Sequence, residues 1–141
     1  MGCASKEKRG SGNGAGDGSA AVEGEARTLL DKRLTPVYFA YDQSDLKTDA
    51  RETLAKHLAY LKEDPNVKVQ IEGNCDERGT VEYNLALGEK RSLSVKDYLV
   101  ANGIPASRFT FISYGEEKPA VPGSTEEAWA KNRRAEFVLY K

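Results

Sequence analysis

Val67-Lys68-Val69-Gln70-Ile71-Glu72-Gly73-Asn74-Cys75-Asp76-Glu77-Arg78-Gly79-Thr80 lies at the centre of the chain and passes from one structural period to another. Val67, Val69 and Ile71 alternate with Lys68, Gln70 and Glu72, the period of a strand with one buried face, and Gly73 closes it. Thr80 is placed to cap a helix, with Glu82 in the first turn, where a carboxylate complements the helix dipole. That helix is expected to reach about Ala101, because Asn102-Gly103-Ile104-Pro105 supplies a glycine stop and a proline that cannot continue it. The 74–79 loop therefore joins the end of a strand to the start of a helix, a place where binding groups are commonly presented.

Working outward, Val37, Phe39 and Tyr41 alternate with Tyr38 and Ala40 after Pro36, which predicts a first strand. Leu46, Ala50, Leu54, Leu58 and Leu61 follow at helical spacing, one apolar stripe of a helix that Asp64-Pro65-Asn66 ends. Downstream, Phe109 and Phe111 mark a third strand, residues 114–125 form a Gly- and Pro-punctuated loop, and Ala135, Phe137 and Leu139 mark a fourth strand. The order βαβαββ predicts an α/β (α+β) two-layer sandwich, with helices on one face of a mixed four-strand sheet.

The 141 residues suffice for one such core. Residues 1–24 are rich in Gly, Ser, Ala and charged groups, with Val22 as their only large aliphatic, too little apolar surface to offset chain entropy. Residues 1–30 are accordingly expected to form a flexible tether and residues 31–141 the domain. Lys and Arg number 21 against 22 Asp and Glu, a formal net charge of −1, so the basic field of a nucleic-acid binder is missing. No run of about 18 apolar residues spans a bilayer, so membrane attachment would have to be covalent.

Cys3, which follows Gly2 and opens the Gly- and Ser-rich segment, stands where a bacterial lipoprotein carries its lipid. Two other readings stand beside it. One is a chance exposed thiol; the other is a Met-Gly-Cys dual-acylation signal, which wants Ser or Thr where Lys6 stands. From Cys3 to Leu30 a flexible chain would span roughly 30 Å on average and about 90 Å fully extended. Neither Cys3 nor Cys75 belongs to a metal-binding spacing, and no metal or cofactor is expected.

Two residues carry the chemistry. Asp76 sits just beyond a strand end, and Arg91 falls four residues after Leu87 and four before Val95, on the stripe the second helix uses for burial. A buried guanidinium needs a partner. Either Arg91 and Asp76 form a plain internal salt bridge, or they make a two-sign pocket for a zwitterion, carboxylate to ammonium and guanidinium to carboxylate.

The stretch from Asp76 to Arg91 resembles the OmpA-like peptidoglycan-binding family, on whose pattern Asp76, Gly79, Asn84, Leu87, Arg91 and Val95 fall in order. The likeness to its lipoprotein branch is closer still, through Asp76-Glu77-Arg78-Gly79-Thr80, Glu82-Tyr83-Asn84, Ser113-Tyr114-Gly115, Lys118-Pro119 and Asn132-Arg133-Arg134. The resemblance covers about residues 36–140 and implies that Asp76 and Arg91 bind the free end of meso-diaminopimelate in the wall's stem peptide, with Asp42, Leu87 and Arg78 beside them. It further implies an outer-membrane lipoprotein, anchored through Cys3 with its domain in the periplasm, working with TolB and possibly TolA in envelope integrity and cell division. Departures are Asn74 where His is frequent, Cys75 for Ala, Gly88 for Ser and Ser92 for Ala.

Other residues have two readings each. Asp42 is a pocket wall or an Asx-turn; Asn132-Arg133-Arg134 is a structural salt bridge or pocket wall against a solvated cluster. His57 is expected on the rim of the first helix's stripe, and Trp129 as a core plug in preference to a sugar platform. An enzyme reading would recruit Asp76, Glu77 and His57 into a wall hydrolase, but Asp76 and Glu77 are sequence neighbours with no sign of facing one cleft, so no catalytic residue is expected. A third reading keeps the fold and makes Tol partners the main purpose.

Overall fold

Val69 and Ile71 are wholly buried and Gln70 between them is nearly so, as suits β2 (Lys68–Asn74), one of the two inner strands of the sheet. The computed structural model describes residues 28–30 and 33–141. β2 pairs in parallel with β3 (Phe109–Gly115) and antiparallel with β4 (Arg134–Tyr140), and β4 pairs with β1 (Val37–Tyr38), giving the order β1-β4-β2-β3. The helices α1 (Thr48–Glu63) and α2 (Val81–Ala101) bury Leu54, Leu61, Val95 and Leu99 in one cluster with Val69, Ile71, Phe137 and Leu139. The mixed four-strand sheet with its helical layer is the expected architecture.

The second helix begins as expected, with Thr80 Oγ1 accepting from the Tyr83 N–H at 3.0 Å. Elsewhere the boundaries differ for local reasons. β1 is two residues long and does not reach Tyr41, because the carbonyls of Ala40 and Gln43 turn toward Arg91 and Asp42 takes the left-handed conformation, with φ of 58°. β3 runs on to Gly115, past the expected loop start at Tyr114. Before β4, the chain forms a third helix that the sequence reading missed, α3 (Glu126–Asn132), capped by Thr125 Oγ1 accepting from Ala128 N–H at 3.2 Å.

The expected tether boundary falls at a pairing. Thr28 and Lys141 exchange main-chain hydrogen bonds at 3.0 and 2.9 Å, and Leu29 bridges Tyr140, so residues 28–30 lie along the end of β4. Residues 1–27, with Cys3 among them, lie outside the described residues. His57 is buried, not on the rim: it hydrogen-bonds Thr35 O at 2.8 Å and meets the Phe137 ring edge-on at 5.0 Å.

How closely α2 approaches β2 is set by two glycines. A Cβ on Gly73 would lie 1.8 Å from Gly88 O, and one on Gly88 would lie 2.2 Å from Ser113 Oγ. At Gly73 the backbone of α2 cannot yield without moving the helix from the strand, whereas at Gly88 the first group to give way would be the Ser113 side chain of β3. Gly73→Ala is therefore expected to destabilise the domain by at least about 2 kcal/mol through overpacking, read as a lower urea midpoint with an unchanged slope.

Candidate functional site

Where β2 gives way to α2, the loop that begins at Cys75 turns its polar groups inward. Asn84, buried on the first turns of α2, draws that loop down, its Nδ2 donating to Arg78 O at 3.1 Å and to Glu116 Oε1 at 2.7 Å. Asp76 is thereby held almost wholly buried beside a cavity of about 160 Å³. Asp42, Arg78, Leu87 and Arg91 line the same cavity, so all five residues proposed from the sequence for wall binding meet at one place. A space this small suits the end of a single amino-acid side chain and not a drug-sized ligand.

The charges are not arranged as a simple Asp76–Arg91 bridge. Arg91, 1% exposed, donates from Nε to Gln43 O at 2.9 Å, from Nη1 to Asn74 O at 2.9 Å and from Nη2 to Ala40 O at 3.1 Å. A guanidinium has five N–H donors, so these three bonds leave it able to donate further into the cavity. No ion pair joins Arg91 to an acid among the described residues. Burial holds its pKa below the ordinary arginine range, partly offset by the nearby Cys75, Asp76 and Asp42.

Asp76 instead meets Arg78. Its Oδ1 accepts from the Arg78 main-chain N–H at 2.9 Å and Nε at 3.3 Å, its Oδ2 from Nη2 at 2.8 Å, and Arg133 Nη1 lies 3.6 Å away. Burial alone would raise this carboxyl, but the hydrogen bonds and charge of Arg78, with the charge of Arg133, hold it below its ordinary value. Asp42 accepts a short hydrogen bond from the Tyr83 hydroxyl, whose own ionisation is pushed up by that bond. Cys75 is a free thiol, raised to about 11 mainly by burial, and it donates to Asn84 O at 3.2 Å, packed as a small neutral group.

The flanking residues resolve into definite roles. Asn132 Oδ1 accepts from the main-chain N–H groups of Ala120 and Val121, at 2.7 and 3.0 Å, and pins the Gly- and Pro-containing loop. Arg133 donates to Phe39 O at 2.9 Å and pairs with Glu126 at 3.1 Å; Arg134 pairs with Glu136 and donates to Lys118 O at 2.8 Å. All three are buried, a structural lattice and not a solvated cluster. Trp129 is not a core plug. Its ring lies on the Arg78 guanidinium at 4.0 Å, and its Nε1–H donates to Glu77 at 3.1 Å.

The sequence profile of the OmpA family matches residues 38–133. The chain belongs to the OmpA family. Within it, the peptidoglycan-associated lipoprotein of Haemophilus influenzae is 45% identical over 94% of this chain and 85% of its own length. That of Pseudomonas aeruginosa is 42% identical over 97% and 88%. The crystal structure of the peptidoglycan-associated lipoprotein from Burkholderia pseudomallei superposes with a TM-score of 0.72 at 43% identity, over 78% of this chain and 91% of that one. The C-terminal domain of Helicobacter pylori MotB, 20% identical, has a TM-score of 0.69 over 74% of this chain and 83% of that one, a likeness of fold. By these relations the chain belongs to the peptidoglycan-associated lipoprotein branch of the OmpA family.

The depressed Asp76 carboxyl gives a linkage with a definite sign. Stability from a group whose folded pKa lies below its ordinary 3.8 is present above that value and lost as pH falls through the folded pKa. The stability advantage of the wild type over Asp76→Asn is expected to be constant near neutrality and to shrink on acidification below about pH 3.8, as read by urea denaturation at a series of pH values.

Proposed function

We propose that the domain binds peptidoglycan non-covalently by taking the zwitterionic end of a stem-peptide diaminopimelate into the cavity of Arg91 and Asp76. The carrying observation is that Arg91, a buried cation without an acidic partner among the described residues, opens into a cavity that a carboxylate also lines. A ligand carboxylate supplies the anion that Arg91 lacks; a ligand ammonium on the same α-carbon meets Asp76. Asp42 closes one wall and Leu87 offers apolar contact to the ligand's methylene chain.

Cys3 in this reading carries the lipid that fastens the chain to the outer membrane, with the domain in the periplasm. Membrane and wall are then tied through one polypeptide as part of the Tol-Pal system, in envelope integrity and cell division. Tyr41, Val81, Tyr83 and Leu85 are large apolar groups left exposed on or next to the cavity wall, and they favour docking of a Tol partner, TolB first and TolA second, on that rim. The residues a hydrolase would need are not gathered: His57 lies in the core against Phe137, and Glu77 is turned to Trp129.

Asp76→Asn keeps the shape and removes the charge, so it should melt as a folded domain yet lose retention on isolated sacculi by more than about tenfold. Arg91→Lys should lose retention too, and also melt earlier, since an ammonium cannot span three carbonyls and a ligand together. Free meso-diaminopimelate is expected to release the wild type, whereas lysine blocked at its α-amino and α-carboxyl groups should not. Wild-type retention by Asp76→Asn, or equal release by both competitors, would overturn the assignment.

A further inference from the structure

In the free protein the carboxylate of Asp76 already holds a cation. Arg78 engages both of its oxygens, and the Arg78 guanidinium is itself clasped between two rings, 4.0 Å from the centroid of Tyr41 and 4.0 Å from that of Trp129. The stack joins three separate segments: Tyr41 from the turn before α1, Arg78 from the loop before α2, and Trp129 from α3, whose indole N–H is fixed on Glu77 at 3.1 Å. An incoming ammonium must therefore compete with a bidentate, doubly stacked guanidinium.

From this we infer that Arg78 is a specificity-determining residue: an internal competitor that makes the cavity reject simple amines and accept zwitterions. The inference rests on the pocket reading above and deepens it. A lone amine would exchange one cation for another on Asp76 and disturb the stack, gaining nothing. A zwitterion adds a carboxylate for Arg91, which has no acidic partner among the described residues, and that second contact offsets the displacement of Arg78. Discrimination then comes from an element that opposes the wrong ligand as well as from one that attracts the right one.

The test uses calorimetry on the full chain with two probes, meso-diaminopimelate and Nα-acetyl-lysine amide, against the wild type, Arg78→Gln and Arg78→Lys. Arg78→Gln removes the competitor, so the preference for diaminopimelate over the amine should narrow by about tenfold or more, while Arg78→Lys, which keeps a cation there, should stay nearer the wild type. Trp129 is the only tryptophan, so its emission should change when diaminopimelate binds the wild type and barely change in Arg78→Gln. Should Arg78→Gln fail to fold, Trp129→Leu, which loosens the stack and keeps the charge, should narrow the preference in the same direction. Equal weakening of both probes, or no detectable amine binding by any variant, would overturn the role of Arg78 and leave the pocket standing. A wild type that binds neither probe would overturn the pocket reading and this inference together.

Discussion

A guanidinium removed from water costs several kcal/mol unless its donors are met, and the site is organised around meeting those of Arg91. Three main-chain carbonyls do so, from Ala40, Gln43 and Asn74, with the Phe39 ring 5.3 Å beneath. Those carbonyls belong to the turn after β1 and the end of β2, so one side chain on α2 fastens both edges of the cavity. The short β1 and the left-handed Asp42 are consequences, because a strand continuing through Tyr41 would direct these carbonyls into a ladder instead. The glycine pair belongs to the same constraint: α2 has to lie against β2 for Arg91 to reach Asn74, and Gly73 against Gly88 allows it.

What was legible in the chain was whatever repeats. The alternation at Val67, Val69 and Ile71 and the stripe from Leu46 to Leu61 report burial directly, and the strands and both long helices follow from them. α3 was missed because seven residues whose apolar groups are the consecutive Ala128, Trp129 and Ala130 show no period; its one readable signal was Thr125 ahead of Glu126 and Glu127, a cap with acids in the first turn. The members of the site were legible, through the spacing of Asp76, Leu87 and Arg91 and the family likeness, but their pairing was not. Whether Asp76 meets Arg78 or Arg91 depends on a loop closed by Asn84 and on Arg133 arriving from across the sheet, neither of which has a sequence period.

The site also has a direction. Asn74 and Asp76 lie at the end of β2 toward which β4 begins, whereas Tyr140 pairs with Lys68 at the other end, and there Leu29 joins it. The chain thus enters the domain at the pole opposite the cavity, with the length of a seven-residue strand, roughly 20 Å, between them. A domain gripped at one pole and held by its chain at the other would carry tension along β4, where the pairings of residues 28–30 and of β1 are both aligned with the pull. Hydrogen bonds loaded that way share the force instead of opening one after another.

Arg108 offers an internal comparison that sharpens what is particular about Arg91. It too donates to three main-chain carbonyls, Val67 O at 2.9 Å, Leu61 O at 2.9 Å and Asp64 O at 2.7 Å, at the end of α1 and the start of β2. Its pKa is likewise lowered by burial. Arg108 meets carbonyls that the end of a helix would otherwise leave without donors, and it is not among the residues that line the cavity of Asp76 and Arg91. Arg91 does the same structural work but faces a space lined by Asp76 and Asp42. Three carbonyls therefore do not by themselves mark a receptor. What sets Arg91 apart is that its guanidinium, held by carbonyls on one side, also lines a cavity shared with two carboxylates.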